Sequence, residues 1–302
     1  MIIPCREIAS NITLSLKKKV SLLKSGGKSV KILAVLVGDQ PEQHSYVRIK
    51  RNLAHSLGIG FEFLHYPQAP AFNEFLAMIQ KRTSEQDVSG IILQLPLPEH
   101  YDHDVVYASI PPSKEIEGHR ANSQYIFPLV QACMIGLDWV YRSQVSDNQD
   151  YTLPLVPNKE LIHWLQTKHI TVAGRGMTTG KPIASYFDRL KIPYIQTNSS
   201  TADPDNIYRE SDIIICGVGK KIIRKENIKK GVILLNFGLH KDIGEQGEKH
   251  KQRLLGDYDE NEIKEIASWY TITPGGLGPI DILCLYGNLI ESVTHSHETQ
   301  DL

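Results

Sequence analysis

The stretch ITVAGRGMTTGKP, residues 170–182, decides the fold class of this chain. An apolar lead-in is followed by Gly174, Gly176 and Gly180, after which a helical pattern begins. Glycines at these places allow a strand to turn sharply into a helix while a ligand approaches the backbone. The N–H groups and the positive dipole end of that helix suit a phosphate. The spacing is one residue longer than the commonest dinucleotide fingerprint, so by itself it fits a nucleotide site and a plain glycine-rich turn about equally.

Strand patterns around this loop favour the nucleotide site. Five short apolar runs begin with the one that enters the loop, and helical patterns separate the first three of them. An isolated glycine turn would not predict such runs, whereas a dinucleotide-binding unit requires them. The predicted strands of this half are residues 170–173, 194–197, 213–216, 232–236 and 270–272.

The first half of the chain also alternates between strand and helix patterns. Such alternation implies a parallel sheet whose faces are covered by helices. The predicted strands are residues 30–37, 61–65 and 90–95, and the predicted helices are residues 8–23, 42–57 and 73–82. The polar stretch 142–151 is predicted to be a surface excursion near a domain junction, and residues 280–293 a final apolar helix. The sequence therefore predicts a two-domain α/β protein.

Composition limits the possible partners. The chain has 302 residues, of which 41% are hydrophobic and 22% charged, with a formal net charge of -1. This balance gives no bulk attraction to nucleic acid or to a membrane surface. The chain begins Met1-Ile2-Ile3-Pro4, which does not resemble a secretory signal, so a cytoplasmic protein is expected. The four cysteines have neither disulfide-motif nor metal-finger spacing, so we expect buried free thiols and predict no metal site.

A tyrosine and a lysine are the candidate chemical groups of the first half. Tyr46 and Lys50 are four residues apart on a predicted helix, so they share a face, which Leu53 and Leu57 continue as an apolar stripe. Burial would disfavour the ammonium ion and lower the pKa of Lys50, making the amine available for proton transfer. The alternative is a lysine whose stem packs while its head reaches water. Short-chain dehydrogenases also carry Tyr-x-x-x-Lys, but after the nucleotide loop rather than before it.

Arg175 bears on the choice of cofactor. The predicted strand 194–197 is followed by Asn198-Ser199-Ser200, with no acid where an NAD site would hold the ribose 2′-hydroxyl. Arg175, inside the glycine loop, could pair with a 2′-phosphate instead. The sequence therefore favours NADP and leaves NAD possible; the alternative is an Arg175 that points into solvent.

Five motifs in this order resemble the bifunctional methylenetetrahydrofolate dehydrogenase/cyclohydrolase family. They are S-Y-V-x-x-K at 45–50, Q-L-P-L-P at 94–98, K-x-x-x-G-H at 114–119, G-R-G-x-x-x-G-K-P at 174–182 and T-P-G-G-L-G-P at 273–279. The resemblance implies a folate-binding catalytic domain over 1–140 with the returning helix 280–302, a Rossmann domain over 141–279, and a folate cleft between them. It implies oxidation of 5,10-methylenetetrahydrofolate to the 5,10-methenyl cation with NADP, hydrolysis to 10-formyltetrahydrofolate, and a homodimer.

The resemblance also implies roles for individual residues. Lys50 would transfer the proton in the hydrolysis, Gln94 would hydrogen-bond the amine, and Tyr46 would stack on the folate. Because the methenyl product is a cation, a largely neutral amine at position 50 would not repel it. The resulting candidates are Lys50, Gln94 and Tyr46 as catalytic residues; Tyr46, Glu117, Gly275, Gly276 and Pro279 at the folate; and Gly174, Arg175, Gly176, Gly180, Thr197, Ser199, Gly217 and Gly219 at the cofactor.

Some positions depart from the family pattern. Glu117 stands where the family has the aspartate that holds the pterin, and its extra methylene could push the pterin out of line. Gly176 replaces a serine that helps bind the cofactor phosphates, and Asn198 replaces a histidine. These changes leave two alternatives open. One is a diverged paralogue that binds folate or nucleotide with one or both activities weakened or lost; the other is an unrelated Rossmann oxidoreductase.

Overall fold

The structure is a computed structural model that describes residues 1–120, 122–145, 151, 153–241 and 254–295. The chain divides into two compact units. The three-stranded unit comprises Asn11–Pro128, Thr152–Pro154 and Ile282–Leu302, and the five-stranded unit comprises Met1–Ser10, Leu129–Tyr151 and Leu155–Asp281. The predicted two-domain α/β fold with parallel sheets is confirmed.

The three-stranded unit is built on a parallel sheet in the order β2-β1-β3. The central strand, KILAVLV, is apolar after its first residue because helices cover both faces of a parallel sheet. It contains most of α1 (Cys5–Ser25) and of α10 (Gly278–His295), together with β1 (Lys31–Val37), α2 (Pro41–Leu57), β2 (Gly60–Tyr66), α3 (Phe72–Ser84), β3 (Gly90–Gln94) and α4 (His103–Ala108). Phe75 and Ile79 of α3 are fully buried against this sheet.

The five-stranded unit contains the second parallel sheet, in the order β10-β7-β6-β4-β5. Its core includes the fully buried Ile214 and Leu234 on neighbouring strands. Its elements are α5 (Pro128–Val145), α6 (Lys159–Gln166), β4 (Ile170–Ala173), α7 (Gly180–Leu190), β5 (Ile195–Thr197), α8 (Pro204–Glu210), β6 (Ile213–Cys216), β7 (Ile233–Asn236), β8 (His240–Lys241), β9 (Leu254–Leu255), α9 (Glu260–Ile263) and β10 (Trp269–Tyr270). The short strands β8 and β9 pair antiparallel to each other.

Strand order creates a switch point in this sheet. From β4 the chain moves outward to β5, and then returns to place β6 on the other side of β4. Ligands of open parallel sheets bind at the carboxyl ends of the strands where the order reverses in this way. The loops that follow β4 and β6, which carry the predicted glycines, therefore lie at the expected ligand position.

The predicted elements agree with the structure to within a few residues, and helix α5 is the largest omission. The sequence predicts a surface excursion over 142–151, but residues 142–145 continue α5, and 146–150 lie outside the described residues. Residues 130–140 of α5 are all buried. A helix buried on every side has no polar face, so it lacks the amphipathic period that predicts helices.

The two units defined by contacts within the structure have different boundaries from the domains predicted from the sequence. The sequence places residues up to 140 in one domain, whereas Met1–Ser10 and Leu129–Tyr151 group with the five-stranded unit. The assignment of folate and nucleotide functions to ranges 1–140 and 141–279 stays a prediction.

Among the described residues, none of the helices is both long and apolar enough to cross a bilayer. The four cysteines, all described, are buried thiols as expected.

Candidate active site

The glycine loop between β4 and α7 is held by close contacts that leave no room for a side chain at Gly180. Gly174 has a φ of 109°, in the region that favours glycine. A Cβ at Gly180 would overlap the carbonyl oxygen of Gly174. The Gly174 N–H donates to the Thr197 carbonyl at 2.8 Å, and Gln196 Nε2 donates to the Gly174 carbonyl at 2.9 Å. The loop therefore brings the start of an eleven-residue helix directly to the sheet edge.

A second glycine-containing turn follows β6. A Cβ at Gly217 would overlap the side chain of the buried Thr179, so this turn packs closely against the first. Gly219 has a φ of 77°. The fully buried Asp257 accepts the N–H groups of Val218 at 2.7 Å and Gly219 at 2.9 Å. Burial raises the pKa of Asp257, and these backbone hydrogen bonds oppose that rise.

The remaining predicted cofactor residues are divided between the surface and the interior. Arg175, Gly176 and Ser199 are exposed on loops that follow the adjacent strands β4 and β5. Thr197 is buried, and its hydroxyl lies 3.1 Å from that of Tyr208. The Thr197 carbonyl accepts the Gly174 N–H, and its side chain is fixed by Tyr208. Thr197 therefore positions the glycine loop from the interior and is not exposed to a ligand.

Lys50 and Gln94 lie together in the three-stranded unit. Lys50 Nζ donates to Gln94 Oε1 at 3.1 Å, although the two residues come from α2 and the end of β3. Gln94 is 7% exposed, and its Nε2 donates to the carbonyl of Leu95 at 3.0 Å. Because the amide nitrogen is occupied in this way, the amide oxygen is directed at the amine. The half-buried Lys50 is therefore held by an amide oxygen, which accepts a hydrogen bond from the lysine nitrogen and donates none to it.

Helix α10 fixes the backbone around this pair. The Tyr286 hydroxyl donates to the carbonyl of Lys50 at 2.6 Å. Asn288 Nδ2 donates to the carbonyls of Ile116 at 2.9 Å and Ile126 at 3.0 Å. The last helix therefore contacts both the helix that carries Lys50 and the loop that carries Glu117.

Glu117 is hydrogen-bonded to the backbone of β3 at Leu93, the residue before Gln94. Its Oε2 accepts the N–H of Leu93 at 2.9 Å. The neighbouring Glu115 is buried and accepts the N–H groups of Glu117 at 3.1 Å and His119 at 3.2 Å, which fixes the loop. Burial raises the pKa of Glu115, and hydrogen bonds that include the one from the His119 N–H oppose that rise. The carboxylate of Glu117 is thus placed one residue away from the catalytic candidate Gln94.

Two aromatic residues near Glu117 were not predicted. The Tyr107 and His119 rings stack with centroids 4.3 Å apart. Within the described residues, the buried Tyr107 hydroxyl has no hydrogen-bond partner, and burial followed by the charge of Glu117 raises its pKa well above the usual value. Burial lowers the pKa of His119 to about 4, with the charges of His103 and Lys50 adding to the effect. A buried unpaired hydroxyl costs about 1–3 kcal/mol of stability.

The other predicted folate residues are located as follows. Tyr46 is 47% exposed on α2. Gly275, with a φ of 100°, belongs to the five-stranded unit, where a Cβ would lie 3.3 Å from Arg6 Nε. A Cβ at Gly276 would lie 2.7 Å from the carbonyl oxygen of Ile272, and Pro279 is exposed in the first turn of α10. Glycine is therefore required at 275 and 276 by the conformation of the loop itself.

Comparison with known proteins agrees with this geometry. Residues 3–117 match the family described as tetrahydrofolate dehydrogenase/cyclohydrolase, catalytic domain, and residues 158–297 match its NAD(P)-binding domain. The chain belongs to this family. A bifunctional protein FolD from an Exiguobacterium species is 31% identical over 298 residues, covering 96% of this chain and 98% of that protein. Another from Geobacillus thermodenitrificans is 33% identical over 299 residues, covering 96% of each chain.

A solved relative shows the same architecture. The crystal structure of the bifunctional enzyme FolD, methylenetetrahydrofolate dehydrogenase/cyclohydrolase, from Campylobacter jejuni has a TM-score of 0.82 and 26% identity, covering 98% of this chain and 99% of that one. The family resemblance expected from the five motifs is thereby confirmed, and an unrelated Rossmann oxidoreductase is excluded.

Several supporting residues of this family member carry no local sequence motif. Asp257, Gln196 and Tyr286 hold the two loops and the lysine helix, and each does so through hydrogen bonds to a segment distant in the sequence. The buried Asp257 follows Gly256 directly, and an acid beside a glycine between predicted strands is the signal that could have drawn attention to it. Gln196 and Tyr286 carry no such signal.

Proposed function

We propose that this chain oxidises 5,10-methylenetetrahydrofolate to the 5,10-methenyl cation with NADP and hydrolyses that cation to 10-formyltetrahydrofolate. The observation that carries the proposal is the contact of Lys50 Nζ with Gln94 Oε1 at 3.1 Å, in a chain that matches its family along most of its length. The two residues are 44 positions apart, so only a specific fold brings amine and amide together.

Hydrolysis requires a group that exchanges a proton at the reacting carbon. Water that attacks the methenyl cation loses a proton, and an amine within reach of that water can take it. We assign this role to Lys50, with Gln94 fixing the position of the amine. Tyr46, on the same helix face, is assigned to contact the folate ring, and Glu117 to bind its polar edge.

The dehydrogenase step depends on the five-stranded unit. NADP, when bound, accepts the hydride, and the protein sets the distance and the face of the two reactants. Backbone N–H groups at the start of α7 and the close turns at Gly174 and Gly217 fit a dinucleotide phosphate. The glycine positions 176, 180 and 219 and the supporting Thr197 belong to the same assignment.

We propose NADP as the preferred cofactor. Arg175 and Ser199 are exposed on the loops after the neighbouring strands β4 and β5, where a guanidinium and a hydroxyl could bind a 2′-phosphate. Strand β5 reads Ile-Gln-Thr and has no acid at its end to grip a 2′-hydroxyl. NAD remains the second candidate, and comparison of the two cofactors in one assay decides between them.

The setting of the enzyme is also part of the proposal. We assign it to the cytoplasm, because four buried thiols suit a reducing compartment. We assign a homodimeric state as the family expectation, which sedimentation of the purified protein tests. The alternative of a diverged binding protein is not favoured, since the Lys50–Gln94 contact is in place.

The direct test is turnover of purified protein. With 5,10-methylenetetrahydrofolate and NADP, we expect methenyl absorbance to rise and then decay as 10-formyltetrahydrofolate forms, and a slower rise with NAD. Measurable folate binding without turnover on either cofactor would overturn the proposal in favour of the diverged paralogue. Methenyl formation without enzyme-dependent decay would contradict the proposed hydrolysis and leave the proposed dehydrogenase activity standing.

A further inference from the structure

Three side chains with metal-binding atoms meet at the carboxyl edge of the three-stranded sheet. Asp39 follows β1, His44 lies at the start of α2, and His65 is near the end of β2. Asp39 Oδ1 is 2.7 Å from His44 Nε2 and 3.6 Å from His65 Nε2, and all three atoms lie within 4.8 Å of one another. We propose that Asp39, His44 and His65 bind a divalent transition-metal cation of the zinc type.

The fold, rather than the local sequence, creates this cluster. Strands β1 and β2 pair in parallel, with Leu36 opposite His65, so both strands end at the same edge. The Gly38 N–H donates to the Tyr66 carbonyl at 2.8 Å, and the φ of 109° at Gly38 turns the chain out of the sheet toward Asp39. The three donors therefore come from the loop after β1, from α2 and from β2, all within one compact unit.

The spacing of the donor atoms suits a small cation. Zinc binds imidazole nitrogen and carboxylate oxygen at about 2.0–2.2 Å, so two ligand atoms in a tetrahedral site are about 3.4 Å apart. The distances of 2.7 and 3.6 Å from Asp39 Oδ1 to the two nitrogens bracket this value. The Asp39 side chain is 67% exposed, so it can retreat by the few tenths of an ångström that the shorter distance requires.

The two imidazoles are held in place by aromatic contacts. His65 is stacked on Phe63, with ring centroids 5.8 Å apart and an interplanar angle of 8°. His44 meets His65 edge to face at 4.7 Å and Phe63 at 6.4 Å. Because these rings are packed before any cation arrives, little side-chain entropy is lost when they bind one.

The donor types favour one class of metal. Two imidazole nitrogens and one carboxylate oxygen suit zinc and its neighbours, whereas calcium and magnesium prefer oxygen ligands alone. Binding must replace the hydrogen bonds of His44 Nε2 to Asp39 and of His65 Nε2 to the Gly38 carbonyl at 2.8 Å. We therefore expect weaker binding than at a closed four-ligand structural zinc site.

The site is separate from the proposed proton-transfer residue, although both lie on α2. His44 and Lys50 are six positions apart, which places them about 120° apart around a helix of 3.6 residues per turn. A cation at this cluster would tie the start of α2 to β1 and β2 without taking part in folate chemistry. Its detection consequently needs neither folate nor nucleotide.

The test uses the full chain without an affinity tag, freed of metal by dialysis against a chelator. Titration with Co²⁺ is followed by the visible absorption of the ion, and Zn²⁺ is then added to displace it. We expect saturation at one Co²⁺ ion per chain, with an absorption intensity typical of Co²⁺ that has a low coordination number. Asp39→Asn, His44→Gln and His65→Gln should each weaken binding at least about tenfold, because each removes one of three ligands.

The matched control is the double variant His295→Gln and His297→Gln, which removes the two histidines closest together in the sequence. It should bind Co²⁺ as the unaltered chain does. Zn²⁺ should also raise the thermal midpoint of the unaltered chain and not that of His65→Gln. The proposal is overturned by absence of saturable binding, by unchanged affinity in the three cluster variants, or by loss of the signal in the control. Circular dichroism of each variant verifies that it is folded.

Discussion

The Lys50–Gln94 pair and the glycine loop after β4 are two candidate ligand regions built on opposite principles. In the first, two side chains from elements distant in the sequence meet at 3.1 Å, and the proposed activity depends on the chemical groups that these side chains carry. In the second, the contacts are made by backbone groups, and a Cβ at Gly180 would overlap the Gly174 carbonyl. The first region depends on which side chains are present, and the second on where side chains are absent.

This difference explains how the two regions tolerate change. On the proposed role of Lys50, a substitution in the pair should alter proton transfer while the fold persists, because Lys50 is half-buried and its helix is held by Tyr286 through the backbone. A substitution at a close glycine displaces backbone and therefore alters stability together with binding. Gly176, one of the departures from the family pattern, lies where nothing is within 4 Å of a Cβ, so a side chain at this position would displace no backbone.

Replacement of the amine should produce the largest effect. We expect Lys50→Met to slow hydrolysis of the methenyl cation by about a thousandfold, within the range by which a positioned proton-transfer group accelerates a reaction. The decay of methenyl absorbance measures this rate. The matched control is Arg48→Met on the exposed face of the same helix, which should retain the hydrolysis rate. If Lys50→Met hydrolysed the cation normally, the assigned role of Lys50 would be wrong.

The glycine loop can be tested with two alanines. We expect Gly180→Ala to lower the free energy of unfolding by about 3 kcal/mol and to weaken NADP binding, because its Cβ meets backbone that cannot move aside. Gly176→Ala should change stability by less than about 0.5 kcal/mol, since that position has open space and no positive φ. Urea unfolding and cofactor titration measure both effects. Equal behaviour of the two variants would contradict the backbone account of this loop.

The burial of His119 predicts a pH effect confined to the three-stranded unit. The folded-state pKa is about 4, below the usual value of 6.5, so the unfolded chain binds the proton first as the pH falls. Stability is thus full above pH 6.5 and is lost progressively toward pH 4. At pH 5 the loss from this group is about 2 kcal/mol.

The variant His119→Phe isolates this contribution, because it keeps a ring against Tyr107 without a titrating nitrogen. Urea unfolding at pH 7 and pH 5 should show a smaller decrease in the free energy of unfolding for the variant than for the unaltered chain. Parallel decreases in the two proteins would show that His119 is protonated as readily in the folded state as in the unfolded state.

Glu117→Asp should give the smallest effect. From the sequence alone, the shorter acid of the family pattern would be expected to tighten folate binding. The hydrogen bond from the Leu93 N–H to Glu117 Oε2 at 2.9 Å reverses that expectation, because one methylene less withdraws the carboxylate from β3. We expect folate binding to weaken by about fivefold, equivalent to about 1 kcal/mol. Tighter binding in a fluorescence titration would show that the site has not adapted to the longer side chain.

The parts of the fold that could be predicted share a local cause. Strands such as β4 and β6 were located to the residue because a short apolar run bounded by glycine or polar residues has few other structures available. Helix α5 could not be found this way, since burial on every side removed its amphipathic pattern. In the candidate site, Lys50 and Gln94 lie in recognisable motifs. Tyr286 and Asp257, by contrast, act through hydrogen bonds to residues distant in the sequence, and Tyr107 is noticed only through its stacking on His119.

The sequence by itself determined the alternation of strands and helices, the glycine turns and the five family motifs, because each depends on neighbours along the chain. Only the tertiary structure decided that Gln94 directs its oxygen at Lys50, that Glu117 is bound to β3, and that Asp39, His44 and His65 converge. The physical reason is that these contacts join residues brought together by the order of parallel strands. That order is set by the packing of the whole sheet rather than by any local pattern.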